Sequence, residues 1–218
     1  LAAGKGVIVC MTRNDALNAG RAIAVERRFG GAGDRVVVEE FMCGEEATVL
    51  ALVDGDVVVP LQASQDHKRR FDGDRGPNTG GMGAYTPVPA VNDELMERVR
   101  REILEPAARG LQEEGMLYRG VLYVGLMLGP EGPRVVEFNC RFGDPETQPL
   151  MMALESDVLS LLWATAKGRL SDEPDVRWYP GASLCIVLVS SGYPGTYPKG
   201  LEISGLPVFS PDEGMVVF

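Results

Sequence analysis

Histidine is almost absent from this sequence: His67 is the only one in 218 residues. Multi-histidine metal centres are therefore excluded, and any His-based triad would hang on that one residue. The four cysteines, Cys10, Cys43, Cys140 and Cys185, lie far apart, with no Cys-x-x-Cys pair and no histidine beside them. That spacing argues against a structural zinc site and fits reduced thiols in a cytoplasmic protein. Positive charge is also scarce, 21 Lys and Arg against 31 Asp and Glu, for a formal charge of -10. A general affinity for nucleic acid or an anionic membrane needs the opposite balance, although a local basic pocket for a small phosphorylated ligand stays open. No apolar run approaches the ~18 residues of a membrane span, and no signal peptide pattern opens the chain. Glycine is what the sequence has in excess, with 27 residues against an average usage of ~7%. The length and a 45% hydrophobic content suffice for one or two domains with a core.

The periodicity predicts a strand at Gly6 to Cys10 and a helix from Asn14 to Phe29, capped by Thr12 or Asn14, with Ala16, Ala19, Ile23 and Ala24 on one side. Gly30, Gly31 and Gly33 end that helix. Three β-rich runs follow, Arg35 to Phe41, Ala47 to Val53 and Val57 to Ala63, the last two joined through Asp54-Gly55-Asp56 as a hairpin. Ser64 to Val91 has almost no period and reads as a long binding loop. Asp93 to Glu114 is predicted helical, with a kink at Pro106. Val121 to Leu128 and Arg134 to Cys140 read as strands, and Pro149 to Leu154 and Asp157 to Lys167 as helices. Ser171 to Gly181 has the composition of a linker, and a strand at Ala182 to Val189 opens a further domain. The expected division is 1–63, 64–170 and 182–218. A chain that starts at Leu1 and ends at Phe218 inside such elements is expected to be a fragment, truncated on both sides.

Four segments carry chemistry. In Gly4-Lys5-Gly6, two glycines let backbone amides approach an anion and the lysine adds a point charge. It matches neither a Walker A loop nor a dinucleotide fingerprint, and alone it reads as an ordinary turn. Glu39-Glu40-Phe41-Met42-Cys43-Gly44-Glu45-Glu46 offers free backbone groups for an adenine and carboxylates for a ribose, or equally a charged edge strand. Around Gln65-Asp66-His67-Lys68-Arg69 and Gly76-Pro77-Asn78-Thr79-Gly80-Gly81-Met82-Gly83, five glycines between Gly73 and Gly83 expose backbone amides beside a basic cluster. That combination suits a small substrate with a phosphate and hydroxyls, while His67 itself reads as a structural hydrogen-bonding group. In Val136-Glu137-Phe138-Asn139-Cys140-Arg141, alternation puts Glu137 and Asn139 on one strand face and Val136, Phe138 and Cys140 on the other, toward the core. A carboxylate and an amide oxygen two residues apart suit one hard cation, magnesium or manganese, bridging nucleotide phosphates. Arg141 is placed to hold a transferring phosphoryl group or an acyl phosphate.

Taken in order and spacing, LAAGKGVIV, VVVEEFMCGEEA, SQDHKRRFDGDRGPNTGGMGAYTPVP, VVEFNCRFGDPETQP and GYPGTYPKG resemble the phosphoribosylamine–glycine ligase family of de novo purine synthesis. The resemblance covers nearly the whole chain, and PNTGGMGAY and EFNCRFGDPETQ are its most specific strings. It implies an α+β ATP-grasp fold of two subdomains around a nucleotide site, followed by the start of a small β-rich domain. It also implies a ligase that phosphorylates the carboxylate of glycine with ATP and lets the amine of 5-phosphoribosylamine displace the phosphate. Carried onto this chain, Lys5 and Gly6 would meet ATP phosphates, Lys5 and Arg141 would serve catalysis, and Glu39, Glu40 and Met42 would frame adenine. Glu46 would hold the ribose, and Glu137 and Asn139 would bind Mg2+ or Mn2+. Asp66, Lys68, Asn78, Thr79, Gly80 and Gly81 would face the substrates. Small molecules are the expected partners of a cytoplasmic monomer, with no nucleic acid and no membrane, and the fragment alone is expected to be inactive.

One departure stands out. Many ATP-grasp enzymes carry a further metal-binding acid on the preceding strand, whereas Val121 to Leu128 contains none and Gly125 takes the comparable place. Two other readings compete: a different carboxylate–amine ligase of the same fold, and a nucleotide-binding module that has lost catalysis. The presence together of Lys5, Glu137, Asn139 and Arg141 weighs against the second.

Overall fold

The computed structural model describes residues 6–210 and 213–218. The chain divides into two compact units, 1–43 and 44–218. The first holds helix α1 (Arg13–Ala24) and a 3-10 turn at Gly30–Gly33. Thr12 caps α1 by accepting from the Asp15 amide, while Asp15 accepts from the Thr12 amide, so two otherwise orphaned donors are satisfied reciprocally. The helix is shorter than its apolar period suggests, ending before Val25. The runs Gly6 to Cys10 and Arg35 to Phe41 are not strands here. Val and Ile favour a pleated, half-buried surface, but the described part of this unit contains no second strand with which to form a ladder. Val37 and Val38 are accordingly exposed.

The second unit is built on a six-stranded antiparallel sheet in the order β7-β6-β1-β2-β5-β8. Its strands are β1 (Glu45–Asp54), β2 (Val57–Asp66), β5 (Gly83–Thr86), β6 (Arg119–Gly129), β7 (Gly132–Asn139) and β8 (Ser183–Ile186). A separate hairpin pairs β3 (Arg69–Phe71) with β4 (Arg75–Asn78). The stretch from Ser64 to Val91 therefore contains short strands rather than one loop. Its apolar residues are too few for a period, and pairing to β2 and within the hairpin supplies the order. The β1–β2 hairpin forms as predicted, with Asp54 opposite Val57 and Gly55 at a positive φ.

Each sheet face has its own core. On one, Val49, Ala51, Val53, Leu122, Val124 and Leu126 pack with Val99, Leu104 and Ala108. Those last three come from α2 (Asp93–Val99), a π-helical stretch at Arg100–Leu104, and α3 (Glu105–Glu113). The irregular turn precedes Pro106, whose missing N–H cannot continue the ladder. On the opposite face Leu50, Leu52, Leu61 and Val121 pack with Leu150, Leu154, Leu161 and Leu170. The helices there are α4 (Thr147–Ala153) and α5 (Val158–Lys167), α5 being capped by Asp157. Ser171 to Gly181 is no free linker: Glu155 and Ser156 donate backbone bonds to the Arg177 carbonyl, and Trp178 bridges to Leu154 and joins the core. Burying that indole anchors a segment whose polar composition suggested otherwise.

Candidate active site

The face that carries Leu50 and Leu52 changes chemistry along its strands. Cross-strand partners share a face, and the register places Thr48 opposite both Ser64 and Gly125, Glu46 opposite Met127, Gly125 opposite Glu137 and Tyr123 opposite Asn139. Alternation adds Asp66, two residues after Ser64. One end of this face thus gathers Glu46, Thr48, Asp66, Tyr123, Glu137 and Asn139. A narrow cleft there is lined by Glu46, Thr48, Lys68, Tyr123, Gly125 and Glu137.

Lys68, just past the end of β2, turns its ammonium toward two carboxylates, with Nζ 2.7 Å from Glu46 Oε2 and 3.7 Å from Asp66 Oδ2. Burial alone would lower its proton affinity, but Asp66 and Glu46 outweigh that and hold it above the usual lysine range. The Asp66 side chain is only 6% exposed. Burial pushes its pKa up to about 6, with Lys68 pulling it back and Glu146 and Glu46 adding to the rise. Beside this pair, the Tyr123 hydroxyl donates to Glu146 Oε1 at 2.8 Å and lies 3.0 Å from Thr48 Oγ1. Burial, and then the neighbouring Glu146 carboxylate, raise the Tyr123 phenol well above its ordinary value, so it acts as a neutral donor. Glu146 precedes α4 and is almost fully buried. Gly143 is what lets it turn inward, because a Cβ there would lie 2.5 Å from Glu146 Oε2.

At the outer strand, Asn139 Nδ2 donates to Glu137 Oε1 at 3.1 Å. The register shifts between Gly125 and Leu126, leaving Val136 as an extra residue opposite them. Such a bulge re-aims the side chains beyond it. It also corrects one expectation: Val136, Phe138 and Cys140 are exposed rather than turned into the core. The neighbouring side chains of Glu137 and Asn139 offer a carboxylate and an amide whose oxygen can be presented by turning the group over. That donor set fits one hard divalent cation whose remaining ligands are phosphate oxygens and water. Among the described residues no cluster of three His, Cys, Asp or Glu is arranged for a metal, in keeping with glycine at position 125. Arg141 lies with its guanidinium carbon 6.0 Å from the centre of the Tyr123 ring, a cation–π distance.

The glycine-rich loop is tied to the same place. Thr79 donates to the Lys68 carbonyl through both its amide, at 2.7 Å, and its hydroxyl, at 2.8 Å. The Gly81 amide donates to Thr79 Oγ1, and the Gly80 amide to the hydroxyl of Tyr193 in the GYPGTYPKG segment. Gly81 has φ 122° and its missing Cβ leaves room for Pro145, so a side chain fits neither the backbone nor the space. Asn78 ends β4 and is exposed. His67 stacks on Tyr85 with ring centres 5.8 Å apart.

The other sequence-derived residues belong to the first unit or lie outside the described residues. Lys5 lies outside the described residues, and Gly6 is in a turn at φ 85°. Glu39, Glu40 and Met42 belong to the first unit, on irregular backbone, with Met42 half-buried.

A family model, the phosphoribosylglycinamide synthetase ATP-grasp (A) domain, matches residues 1–147. The chain belongs to this ATP-grasp family. It is 54% identical over 208 residues to a phosphoribosylamine–glycine ligase of Vibrio cholerae, covering 95% of this chain and 48% of that protein. It is 51% identical over 217 residues to the Salmonella typhimurium protein of the same name, covering 99% and 50%. The chain therefore spans about half the length of the curated relatives it matches. Among solved structures, the phosphoribosylamine–glycine ligase of Thermotoga maritima superposes with a TM-score of 0.81 at 33% identity, over 93% of this chain and 52% of that one. A biotin carboxylase–β,γ-ATP complex from Campylobacter jejuni shares the fold, with a TM-score of 0.61 at 15% identity over 84% of this chain and 39% of that one.

Three residues in or behind the cleft escaped the sequence reading: Thr48 and Tyr123, which line it, and the buried Glu146 that Tyr123 bonds. Thr48 and Tyr123 lie in apolar strands with only their hydroxyls as a signal. Glu146 closes the GDPE string, where an acid before a helix reads as an ordinary cap.

Proposed function

We propose that this chain forms the ATP-grasp part of a ligase that joins glycine to 5-phosphoribosylamine, giving glycinamide ribonucleotide, ADP and phosphate in de novo purine synthesis. The carrying observation is the gathering of Glu46, Asp66, Lys68, Glu137, Asn139 and the Arg141–Tyr123 pair at one polar end of a sheet face in a chain of this family. The whole protein would work in the cytoplasm on small molecules, as a monomer.

On this reading residues 1–63 serve the nucleotide and 64–170 the metal and substrates, and 182–218 begin a further domain, although β8 within that stretch pairs with β5 in the sheet of the second unit. Lys5 and the Gly6 amide hold ATP phosphates, and Glu39, Glu40 and Met42 frame adenine. Glu46 has acceptor capacity beyond its bond to Lys68, which a ribose hydroxyl can use. Glu137 and Asn139 would hold Mg2+ or Mn2+, which when bound neutralises charge on the phosphates. A glycine carboxylate oxygen attacks the γ-phosphorus of ATP, ADP leaves, and the amine nitrogen then attacks the acyl carbon as phosphate departs. Arg141, steadied over the Tyr123 ring, stabilises the developing negative charge of the acyl phosphate. Asp66, Lys68, Asn78, Thr79 and the Gly80–Gly81 amides line the substrate side.

ADP release by the full-length protein tests this directly. Release is expected only when ATP, glycine and phosphoribosylamine are present together with the divalent ion. Release independent of the amine, or none at all, would overturn the assignment.

A further inference from the structure

Toward the cleft, the ladder between β1 and β2 ends where Thr48 faces Ser64. The preceding residues of β1, Glu46 and Ala47, keep their pairing to β6, opposite Met127 and Leu126. A main-chain carbonyl at the end of a ladder still needs a donor, and Gln65 of β2 supplies one from its side chain. Its Nε2 donates to the Glu46 carbonyl at 2.7 Å and to Glu45 Oε1 at 2.9 Å. Its Oε1 accepts from the hydroxyl of Tyr85 at 2.5 Å, and Tyr85 is its partner in the β2–β5 ladder. These partners decide the sense of the amide: two acceptors face the nitrogen and a hydroxyl faces the oxygen, so turning the group over would set oxygen against oxygen. Gln65 is only 9% exposed. A buried amide with three partners of fixed sense is a brace between β1, β2 and β5.

The brace acts on the cleft without entering it. Alternation turns Gln65 away from the face that carries Asp66, and Glu45 away from the face that carries Glu46. Glu46 lines the cleft, and it is held at both ends. Lys68 engages its carboxylate at 2.7 Å, and Gln65 engages its carbonyl. Holding that carbonyl fixes the peptide plane after Glu46, and with it the direction in which the side chain leaves the strand. The same amide ties the Glu45 carboxylate on the other face, so the two adjacent acids cannot exchange places by a shift of the strand end.

We propose that Gln65 is a positioning residue for the nucleotide, bracing the start of β1 so that the Glu46 carboxylate meets the ribose hydroxyls. This role rests on the nucleotide assignment within the ligase reading, and not on the glycine or the amine.

The test is equilibrium titration of the full-length protein with Mg-ATP and with Mg-2′,3′-dideoxy-ATP, which lacks both ribose hydroxyls. The unaltered protein should prefer ATP about 10- to 100-fold, the worth of a hydrogen bond to a charged group. Gln65→Met keeps the length of the side chain and removes its amide; it should lose most of that preference, with affinity for the dideoxy analogue changed less than about twofold. Combining it with Glu46→Gln should add little to the loss from Glu46→Gln alone, because both act on one contact. In turnover, KM for ATP should rise while kcat at saturating ATP stays within about threefold. Tyr85→Phe, which removes one hydroxyl and leaves both donors of Gln65, should show the same selective loss at smaller size, and it carries the test if Gln65→Met does not fold. Equal loss for ATP and its analogue, additive loss in the double variant, or an ATP preference that survives in the folded variants would overturn the role. An unaltered protein that binds ATP no better than the analogue would overturn the ribose assignment of Glu46 and this role with it. A preference lost in the variants, in a protein that releases no ADP with glycine and amine, would sink the ligase reading and leave the role of Gln65 standing.

Discussion

Along β1, one sheet face passes from Glu46 and Thr48 to Leu50 and Leu52 within a few residues. Leu50, Leu52 and Val121 are covered by side chains of α4 and α5, whereas Glu46, Thr48 and Gly125 line an open cleft. The same backbone ladder supports both halves. The apolar half gains its stability from burial. The polar half keeps charged groups partly dehydrated, and so shifts their proton affinities instead. The strands that carry the site continue directly into a packed core.

The largest effect on stability is expected at Leu50, which is wholly buried. Leu50→Ala should cost about 2 to 5 kcal/mol of stability by leaving a cavity, read from urea unfolding, with KM values little changed in the fraction that stays folded. Exposed Glu137 should behave oppositely. Glu137→Gln should lower metal-dependent ADP release about 10²-fold or more, while its unfolding midpoint stays within about 0.5 kcal/mol of the original. Should both variants act on stability alike, the two halves are not distinct.

Asp66 sharpens the contrast through pH. Its pKa is raised from 3.8 to about 6 in the folded state, so below pH 4 it is neutral in both states and costs nothing. Between those two values the unfolded chain ionises while the folded carboxyl stays protonated, so the cost builds from about pH 4 to pH 6 and levels off above it at about 3 kcal/mol. Asp66→Asn should therefore raise stability at pH 7.5, and the gain should disappear by about pH 4. Denaturant curves at the two pH values check the sign. A smaller effect is expected at Gly81, where Ala must adopt φ 122° against Pro145. A loss of about 1 to 3 kcal/mol, with a raised KM for the amine, would show that this loop is held in place by packing.

Much of this was legible beforehand because its signals are local. The β1–β2 hairpin is carried by Asp54-Gly55-Asp56 between two apolar runs, and the α1 cap by Thr12, one of the two residues the sequence offered for it. The adjacency of Glu137 and Asn139 needs only strand alternation. What stayed hidden depends on distant partners. Nothing near Val37 shows that the described residues of its unit offer no neighbouring strand, and nothing near Trp178 shows that Leu154 awaits it. The Thr48–Tyr123–Glu146 network spans 98 residues of chain, so no window of sequence contains it. Bulging at Val136 arises from register with β6, which alternation alone cannot supply.

We propose that the metal and the nucleotide phosphates meet at the open half of this sheet face, ending at Glu137 and Asn139. Crystals of the full-length protein with Mn2+ and a non-hydrolysable ATP analogue test it through the anomalous signal of manganese. A peak is expected within about 2.5 Å of both the Glu137 carboxylate and the Asn139 amide oxygen. A manganese peak beside the phosphates but away from both side chains would contradict it.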